Sequence, residues 1–268
     1  VHFQNFSSMT LFSKAVFISF VLFSLNTYSQ LSEKLKPRYE AHWSGMDIGV
    51  SMLMNSDFGT EFTNDPHWEN EVIHSSLLNF NIIEYKIPIA KQYFGLTTGL
   101  GWQINNIGFK KPYILYHTEE EVGAYQDLWQ EYDRNYMTVH YLTAPLLLEF
   151  ASKILASRSF YFCAGVVGGV RIGSKTTLKG KYTNGDKFTR RTRSKYNLNP
   201  FFADATVRIG YGNFGLFGSY SLTTLFKKDK TVAIYPLRMG ITLNINSISD
   251  KREETERSVQ PFPPVEGI

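Results

Sequence analysis

The sequence predicts an all-β protein, an eight-stranded antiparallel up-and-down transmembrane β-barrel. Eight segments alternate between apolar residues and small or polar residues, as strands do when one face lies in lipid. Long and short connections join these segments in alternation. After Gln30, no stretch approaches the roughly 18 consecutive apolar residues that a membrane helix needs. A membrane protein with this pattern must cross the bilayer with strands.

The first 29 residues have the pattern of a cleaved signal peptide. Lys14 supplies a basic start, Ala15 to Leu25 is apolar, and Ser29 is a small residue before Gln30. Residues 1–8 are interpreted as an upstream start artefact. We therefore expect a signal peptide at 1–29, a barrel at 30–247 and a charged periplasmic tail at 248–268.

The strands follow from period-two alternation. In the first strand, Met46, Ile48 and Val50 share one face, while Asp47 and Gly49 share the other. The eight predicted strands are residues 45–54, 77–89, 94–105, 142–150, 160–173, 201–211, 214–222 and 237–245.

The second strand has the weakest alternation. Its apolar face switches near Ile82 and Ile83, which predicts a β-bulge.

The connections predict the topology. The long ones are residues 55–76, 106–136, 174–198 and 223–235, and the short ones lie at 90–93, 152–158 and 212–213. Outer-membrane barrels have short periplasmic turns and longer extracellular loops. We therefore expect a bacterial outer-membrane protein with both termini in the periplasm.

Charged residues on the polar faces predict the content of the lumen. Four acids and four bases lie there: Asp47, Glu84, Lys86, Glu149, Arg171, Asp204, Arg208 and Arg238. Side chains just fill the interior of an eight-stranded barrel, and buried charges must be paired or hydrogen-bonded. We expect a neutral charge network that closes the lumen; the alternative is a proton or ion path.

The third long loop is strongly basic. Its eight cations are Lys175, Lys179, Lys181, Lys187, Arg190, Arg191, Arg193 and Lys195. The Asn184-Gly185 pair is a hairpin-turn signal, so this extracellular loop is expected to form a protruding β-ribbon. One interpretation is a solvated, self-repelling loop. The other is a surface that contacts anionic lipopolysaccharide or the first two long loops. Those loops are acidic, with Asp57, Glu61, Asp65, Glu69 and Glu71 in the first and Glu119, Glu120, Glu121, Asp127 and Glu131 in the second.

Composition limits the function classes. The chain has 268 residues, 15% of them aromatic, and a net charge of +4. Its basic excess is local, so no nucleic-acid partner is expected. Cys163 stands alone, which excludes an internal disulfide framework and a Cys-based zinc cluster.

Residues Asn199 to Phe226 carry a family resemblance, and Ala144 to Phe150 and Tyr235 to Leu243 add to it. These segments resemble the outer-membrane β-barrel proteins of Bacteroidota, in the PorT-like group, over roughly residues 40–247. The resemblance implies an outer-membrane location, and some members of the group assist secretion. It supplies no catalytic residue to carry over.

Known catalytic motifs are absent from the sequence. It contains no P-loop, no HExxH and no GxSxG, so we expect no catalytic, cofactor-binding or metal-binding residues. His67, His74 and His117 lie in long loops at spacings that match no ligand rule.

Two classes of function follow. The first is a structural or interaction barrel, accessory to protein secretion or surface assembly. Its expected partners are outer-membrane lipid, lipopolysaccharide and membrane or secretion-system proteins. The second is a barrel enzyme that acts on lipid or peptide at the extracellular mouth.

Overall fold

The computed structural model describes residues 40–91, 93–110, 113–127, 131–153, 158–182 and 185–245. The predicted signal peptide and the predicted tail lie outside the described residues. Two short 3-10 helices occupy Pro66–Trp68 and Val72–His74. The strands are β1 Gly45–Met54, β2 Ser76–Ala90, β3 Phe94–Gly108, β4 Tyr113–His117, β5 Val122–Gln126, β6 Glu131–Ala151, β7 Phe160–Lys181, β8 Lys187–Arg193, β9 Phe201–Tyr211, β10 Phe214–Ser221 and β11 Tyr235–Asn244. Within these ranges, no helix has the length and apolar character to cross a bilayer.

Eight of the strands form a closed ring. β1, β2, β3, β6, β7, β9, β10 and β11 each pair antiparallel with the next strand of this series. β11 returns to β1, with Met46 opposite Leu243. The predicted eight-stranded up-and-down fold is therefore confirmed, and β1 and β9 have the bounds that the alternation predicts.

The predicted bulge in β2 is also present. The pairing with β3 shifts between Asn81 and Ile83, so Ile82 has no opposite residue. At the shift, the positions of β2 that face the lumen change from odd to even numbers. Asn81 is buried before the shift, and Lys86 is buried after it.

The two faces of the ring differ as lipid and lumen require. In β6, Leu146 is 56% exposed, whereas its neighbour Leu147 is fully buried. Exposed aromatic side chains lie beside the short turns at Phe150, Phe160, Tyr211 and Phe214. A ring with an apolar outer face and aromatic rims is the arrangement of a membrane barrel.

The long loops are gathered at one end of the ring, and most of their described residues pack into a cap, residues 55–75, 109–110, 113–127 and 223–234. Trp68 is fully buried there, with its ring 4.9 Å from the ring of Phe226 and 6.0 Å from that of Phe109. The Trp68 Nε1–H donates to Thr231 Oγ1 at 3.0 Å. The cap includes the β4–β5 hairpin, which the sequence analysis does not predict.

The third long loop forms the predicted ribbon. β7 continues beyond the wall of the barrel, where it pairs with β8 on one edge, from Lys175 opposite Arg193 to Lys181 opposite Lys187. On its other edge the same part of β7 pairs with residues 131–138 of β6. Gly185, in the connecting turn, has φ +86°, a conformation that glycine adopts without strain. We call the paired residues 175–181 and 187–193 the ribbon.

Candidate functional site: a closed lumen and a basic ribbon

The centre of the lumen holds an ion pair between Asp47 and Arg208. Arg208 Nη2 lies 2.7 Å from Asp47 Oδ1, and Nη1 lies 3.1 Å from Oδ2. Asn79 and Asn81 each donate a hydrogen bond to Oδ2, at 3.1 and 3.0 Å. The guanidinium carbon is 4.8 Å from the centre of the Trp43 ring. The pair is bidentate and hydrogen-bonded, as a buried pair must be to offset its desolvation.

A second pair lies nearer the long-loop end. Arg238 Nη1 donates to Asp204 Oδ2, and Ser221 donates to Asp204 Oδ1 at 2.8 Å. The Arg238 guanidinium lies over the Phe202 ring, 5.4 Å from its centre.

A third cluster closes the short-turn end. Lys86 Nζ lies 2.8 Å from Glu149 Oε1, and Thr97 donates to Glu149 Oε2 at 2.6 Å. His42 Nδ1 lies 2.9 Å from Glu149 Oε1. The His42 ring stacks on Tyr161 with centroids 4.2 Å apart.

The chain before β1 enters this end of the barrel. Glu84 accepts backbone N–H bonds from Ala41, Trp43 and Ser44, at 3.2, 2.9 and 2.6 Å. Ala41, His42 and Trp43 are buried. We call residues 40–44 the inserted segment. The sequence did not predict their place in the lumen, because a segment without period-two alternation has no face that can be assigned.

Arg171 departs from the expected lumen network. Its Nη1 donates to Ser174 Oγ at 3.2 Å and to the carbonyl oxygen of Lys195 at 2.8 Å. The reason is a register shift at His140 and Tyr141, which leaves Ile172 of β7 without an opposite residue in β6. Among the described residues, three acid–base contacts join members of the expected network: Asp47–Arg208, Asp204–Arg238 and Glu149–Lys86.

Little free space remains in the lumen. The cavity between the central and outer ion pairs has a volume of about 20 Å³, which is room for about one water molecule. Its lining includes Trp43, Asp47, Asp204, Arg208 and Arg238. The described lumen is filled by side chains.

The ribbon concentrates positive charge on one of its faces. Pairing and alternation place six cations on that face: Lys175, Lys179, Lys181, Lys187, Arg191 and Arg193. Lys175 lies directly opposite Arg193, and Lys181 lies directly opposite Lys187. Like charges in directly opposed positions are destabilising. An anion bound to this face would remove that cost.

The other face of the ribbon packs on the protein. Leu178 is buried, and Thr176 Oγ1 lies 2.7 Å from Tyr196 Oη. Burial raises the pKa of Tyr196, so this hydroxyl stays neutral. Of the other two basic residues, Arg190 alternates onto this second face and Lys195 follows the strand. On the cationic face, Lys187, Arg191 and Arg193 remain exposed.

A groove opens where the ribbon leaves the barrel wall. It has a volume of about 600 Å³, and we call it the basic groove; its lining residues are His140, Arg171, Ile172, Gly173, Ser174, Lys175, Arg193, Ser194 and Lys195. The lining contains four Lys or Arg side chains and no carboxylate. Such a surface attracts anions.

The loop histidines occupy separate places. His67 packs in the cap against Trp68, with ring centroids 4.9 Å apart, and its burial lowers its pKa. His74 Nδ1 contacts Glu71, and His117 Nε2 lies 2.7 Å from Ser194 Oγ. Among the residues that the structure describes, no three His, Cys, Asp or Glu side chains are grouped to hold a metal ion.

An exposed ion pair lies within the cap. Lys110 Nζ contacts Glu69 Oε2, and this hydrogen bond lowers the pKa of Glu69. An exposed pair of this kind contributes little to stability.

Comparison with known proteins gives one family. The family model described as an outer membrane protein beta-barrel domain matches residues 45–227. No curated protein matches the chain in sequence. Among solved structures, the chain is similar to Ail, the attachment invasion locus protein of Yersinia pestis, in complex with the heparin analogue sucrose octasulfate. The two are 15% identical with a TM-score of 0.30, over 74% of this chain and 95% of the other. At that score the likeness supports no argument about ligands.

Proposed function

Because the chain belongs to the outer membrane protein beta-barrel domain family, we propose that it acts in the outer membrane as a closed interaction scaffold, accessory to protein secretion or surface assembly. Its contact surface is the ribbon, and its partners are anionic. The candidates are lipopolysaccharide, outer-membrane lipid and acidic proteins of the membrane or of a secretion system.

The observation that carries this proposal is the contrast between lumen and ribbon. In the lumen, three acid–base pairs are buried, and the cavity beside the central pair has a volume of only about 20 Å³, which favours a closed lumen. The ribbon instead presents six cations on one face. A barrel of this kind is suited to hold a charged surface in place.

Topology gives the direction of that surface. The ribbon and the cap lie at the long-loop end, and long loops of outer-membrane barrels are extracellular. The scaffold would therefore present its cations to the outer leaflet and to the cell surface. The resemblance to the PorT-like group adds the secretion role to the proposal.

The alternative is an enzyme at the extracellular mouth. The mouth is covered by the cap, whose centre is formed by the packed aromatic rings of Trp68, Phe109 and Phe226. An enzyme site needs a cleft with convergent polar groups.

The test is a gene deletion complemented with matched variants. In the deletion strain we expect secreted proteins to accumulate in the periplasm or specific surface proteins to be lost. Complementation with the wild-type protein should restore both secretion and the surface proteins. Charge reversal on the ribbon, with Lys179→Glu and Arg191→Glu, should fail to restore them while heat-modifiable gel migration shows a folded barrel. Unchanged secreted and surface proteins in the deletion strain would contradict the accessory role.

A further inference from the structure

We propose that the basic groove is a binding site for the phosphate groups of an outer-leaflet glycolipid of the lipopolysaccharide type. The inference rests on the proposed function, since it names the ligand class of the same basic surface. It goes further by placing the ligand at the base of the ribbon, against the barrel wall, and not along the whole ribbon.

The first support is the fixed geometry of the cations. Lys175 and Arg193 face each other across the β7–β8 pair, so their side chains leave neighbouring backbone positions on one face. Arg171 is held from behind by Ser174 Oγ and the Lys195 carbonyl oxygen. Pre-positioned Arg and Lys side chains form charge-assisted hydrogen bonds to phosphate oxygens.

The second support is the arrangement around β7. The register shift opposite Ile172 breaks the regular wall at this point, and the chain that returns from the ribbon passes along the other side. Ser174 Oγ donates to the carbonyl oxygen of Ser194 across this gap. The groove is thus built by two segments that are bonded to each other, which keeps its width constant.

A second groove continues the first along the wall. It has a volume of about 540 Å³, shares His140 and Lys175 with the basic groove, and adds Arg134 and His74. Its lining also contains no carboxylate. The two grooves together offer length for a ligand with several polar groups, such as a phosphorylated sugar headgroup.

The third support is the position of the groove at the upper limit of the apolar wall. Trp102, Leu142, Val170 and Phe201 lie side by side on four neighbouring strands. Phe201 is 64% exposed, and Ile172, which lines the groove, is 62% exposed. Aromatic residues mark the membrane interface in barrels. A phosphate in the groove would therefore lie at headgroup height.

The wall below the groove is shallow. Ala144, Gly168 and Ala203 are neighbours on β6, β7 and β9, and a Cβ atom added at Gly168 would have no neighbour closer than 3.9 Å. An acyl chain could lie over this row beneath its own headgroup. Free phosphate would bind in the groove but, without an acyl chain, would make no apolar contact with this row of small residues.

The test compares two pairs of opposed cations on the same ribbon. The groove variant is Lys175→Gln with Arg193→Gln, and the tip variant is Lys181→Gln with Lys187→Gln. Both remove two charges from directly opposed positions. The full chain is purified in detergent, heat-modifiable migration confirms folding, and binding of lipid A is measured by titration. We expect the groove variant to weaken binding by about tenfold or more, and the tip variant to weaken it by less than about threefold.

Two further arms identify the ligand. Dephosphorylated lipid A should bind wild-type protein as weakly as lipid A binds the groove variant. Inorganic phosphate should compete only at much higher concentration, and equal affinity for phosphate would overturn the lipid assignment.

Two results would overturn the site itself. One is wild-type affinity in the groove variant, and the other is an equal loss in both variants, which would mean diffuse electrostatics. If the groove variant loses lipid A while the deletion strain secretes and displays its proteins normally, the site stands and the secretion role fails.

Discussion

Arg208 and Asp47 are 161 positions apart in the chain, yet their side chains meet in the lumen at 2.7 Å. The contact joins β9 to β1, so it can form only when the ring has brought these strands together. Both side chains are almost completely buried. Their pairing therefore couples the charge balance of the lumen to closure of the barrel.

Removing Arg208 should destabilise the barrel strongly. In Arg208→Met, Asp47 remains as a buried charge without its cation, and we expect a loss of about 3–5 kcal/mol in the free energy of unfolding. The double variant Asp47→Leu with Arg208→Met should recover most of that loss. Urea unfolding in detergent measures both, with exposed Lys228→Ala as a control that changes little. A double variant as unstable as the single one would contradict the pairing.

Two adjacent glycines should respond in opposite ways to alanine. A Cβ atom at Gly169 would lie 2.1 Å from Cε1 of Phe202, whereas one at Gly168 would have no neighbour within 3.9 Å. We expect Gly169→Ala to cost about 1–3 kcal/mol through overpacking. Gly168→Ala should be close to neutral. Adding Phe202→Leu to Gly169→Ala should restore part of the stability. Equal effects of the two glycine variants would contradict the assignment of Gly169 to the lumen face.

Labelling of single cysteines should report the orientation of the protein. In a Cys163→Ala background, Asn64→Cys and Tyr125→Cys lie in the cap and should react on intact cells with an impermeant thiol reagent. Lys153→Cys and Asn213→Cys lie at short turns and should react only after the cells are opened. The reverse pattern would invert the topology, and the ribbon would then face the periplasm.

Reconstituted protein should not conduct ions steadily. The cavity beside the central ion pair has a volume of only about 20 Å³, and the short-turn end is occupied by the inserted segment, with His42 and Trp43 buried. Planar bilayer recordings should therefore show no stable open state, with a porin as the positive control. Large and long-lived channels would contradict the proposal that the barrel is a closed scaffold.

The cap should loosen in mild acid through His67. Desolvation lowers the pKa of His67 from its ordinary value of 6.5, against a smaller opposing effect of Asp65. The unfolded segment therefore binds the proton more readily than the folded one, so the stability of the cap falls as the pH drops below about 6.5. Protection factors for amide hydrogen exchange in residues 60–70, corrected for the intrinsic pH dependence of exchange, should be smaller at pH 5.5 than at pH 7.5. His67→Gln should remove this difference, and its persistence would assign it to another group.

The alternation of the sequence predicted most of the ring because period-two burial is a local property of each strand. It located the bulge at Ile82 for the same reason, since a face switch is visible in one strand. It missed the β4–β5 hairpin because each of these strands has only five residues, too few for alternation to be distinguished from chance. The packing of Trp68 into the cap depends on residues distant in sequence.

Charged residues were harder to assign than strands. Alternation identified the lumen positions of Asp47 and Arg208, but it cannot give the partner of a charge. Alternation puts Arg171 on the face of β7 that carries Tyr161 and Cys163, but it could not predict that the side chain bonds to Ser174 and to the carbonyl oxygen of Lys195. His42 was missed because it lies in a segment that enters the lumen outside any strand.

The length of β7, 22 residues, determines how far from the membrane the ribbon can contact a partner. A tilted strand needs about 9–11 residues to cross the hydrocarbon core, and the part from Arg171 to Lys181 lies beyond the last lipid-facing row. At about 3.3 Å per residue, those eleven residues reach roughly 30–35 Å. Because the same strand is bonded into the wall at one end and carries the cations at the other, the charged surface stands at a fixed height above the bilayer. A partner that stays close to the membrane surface would contact only the base of the ribbon. A partner that extends further from the membrane could also contact its tip.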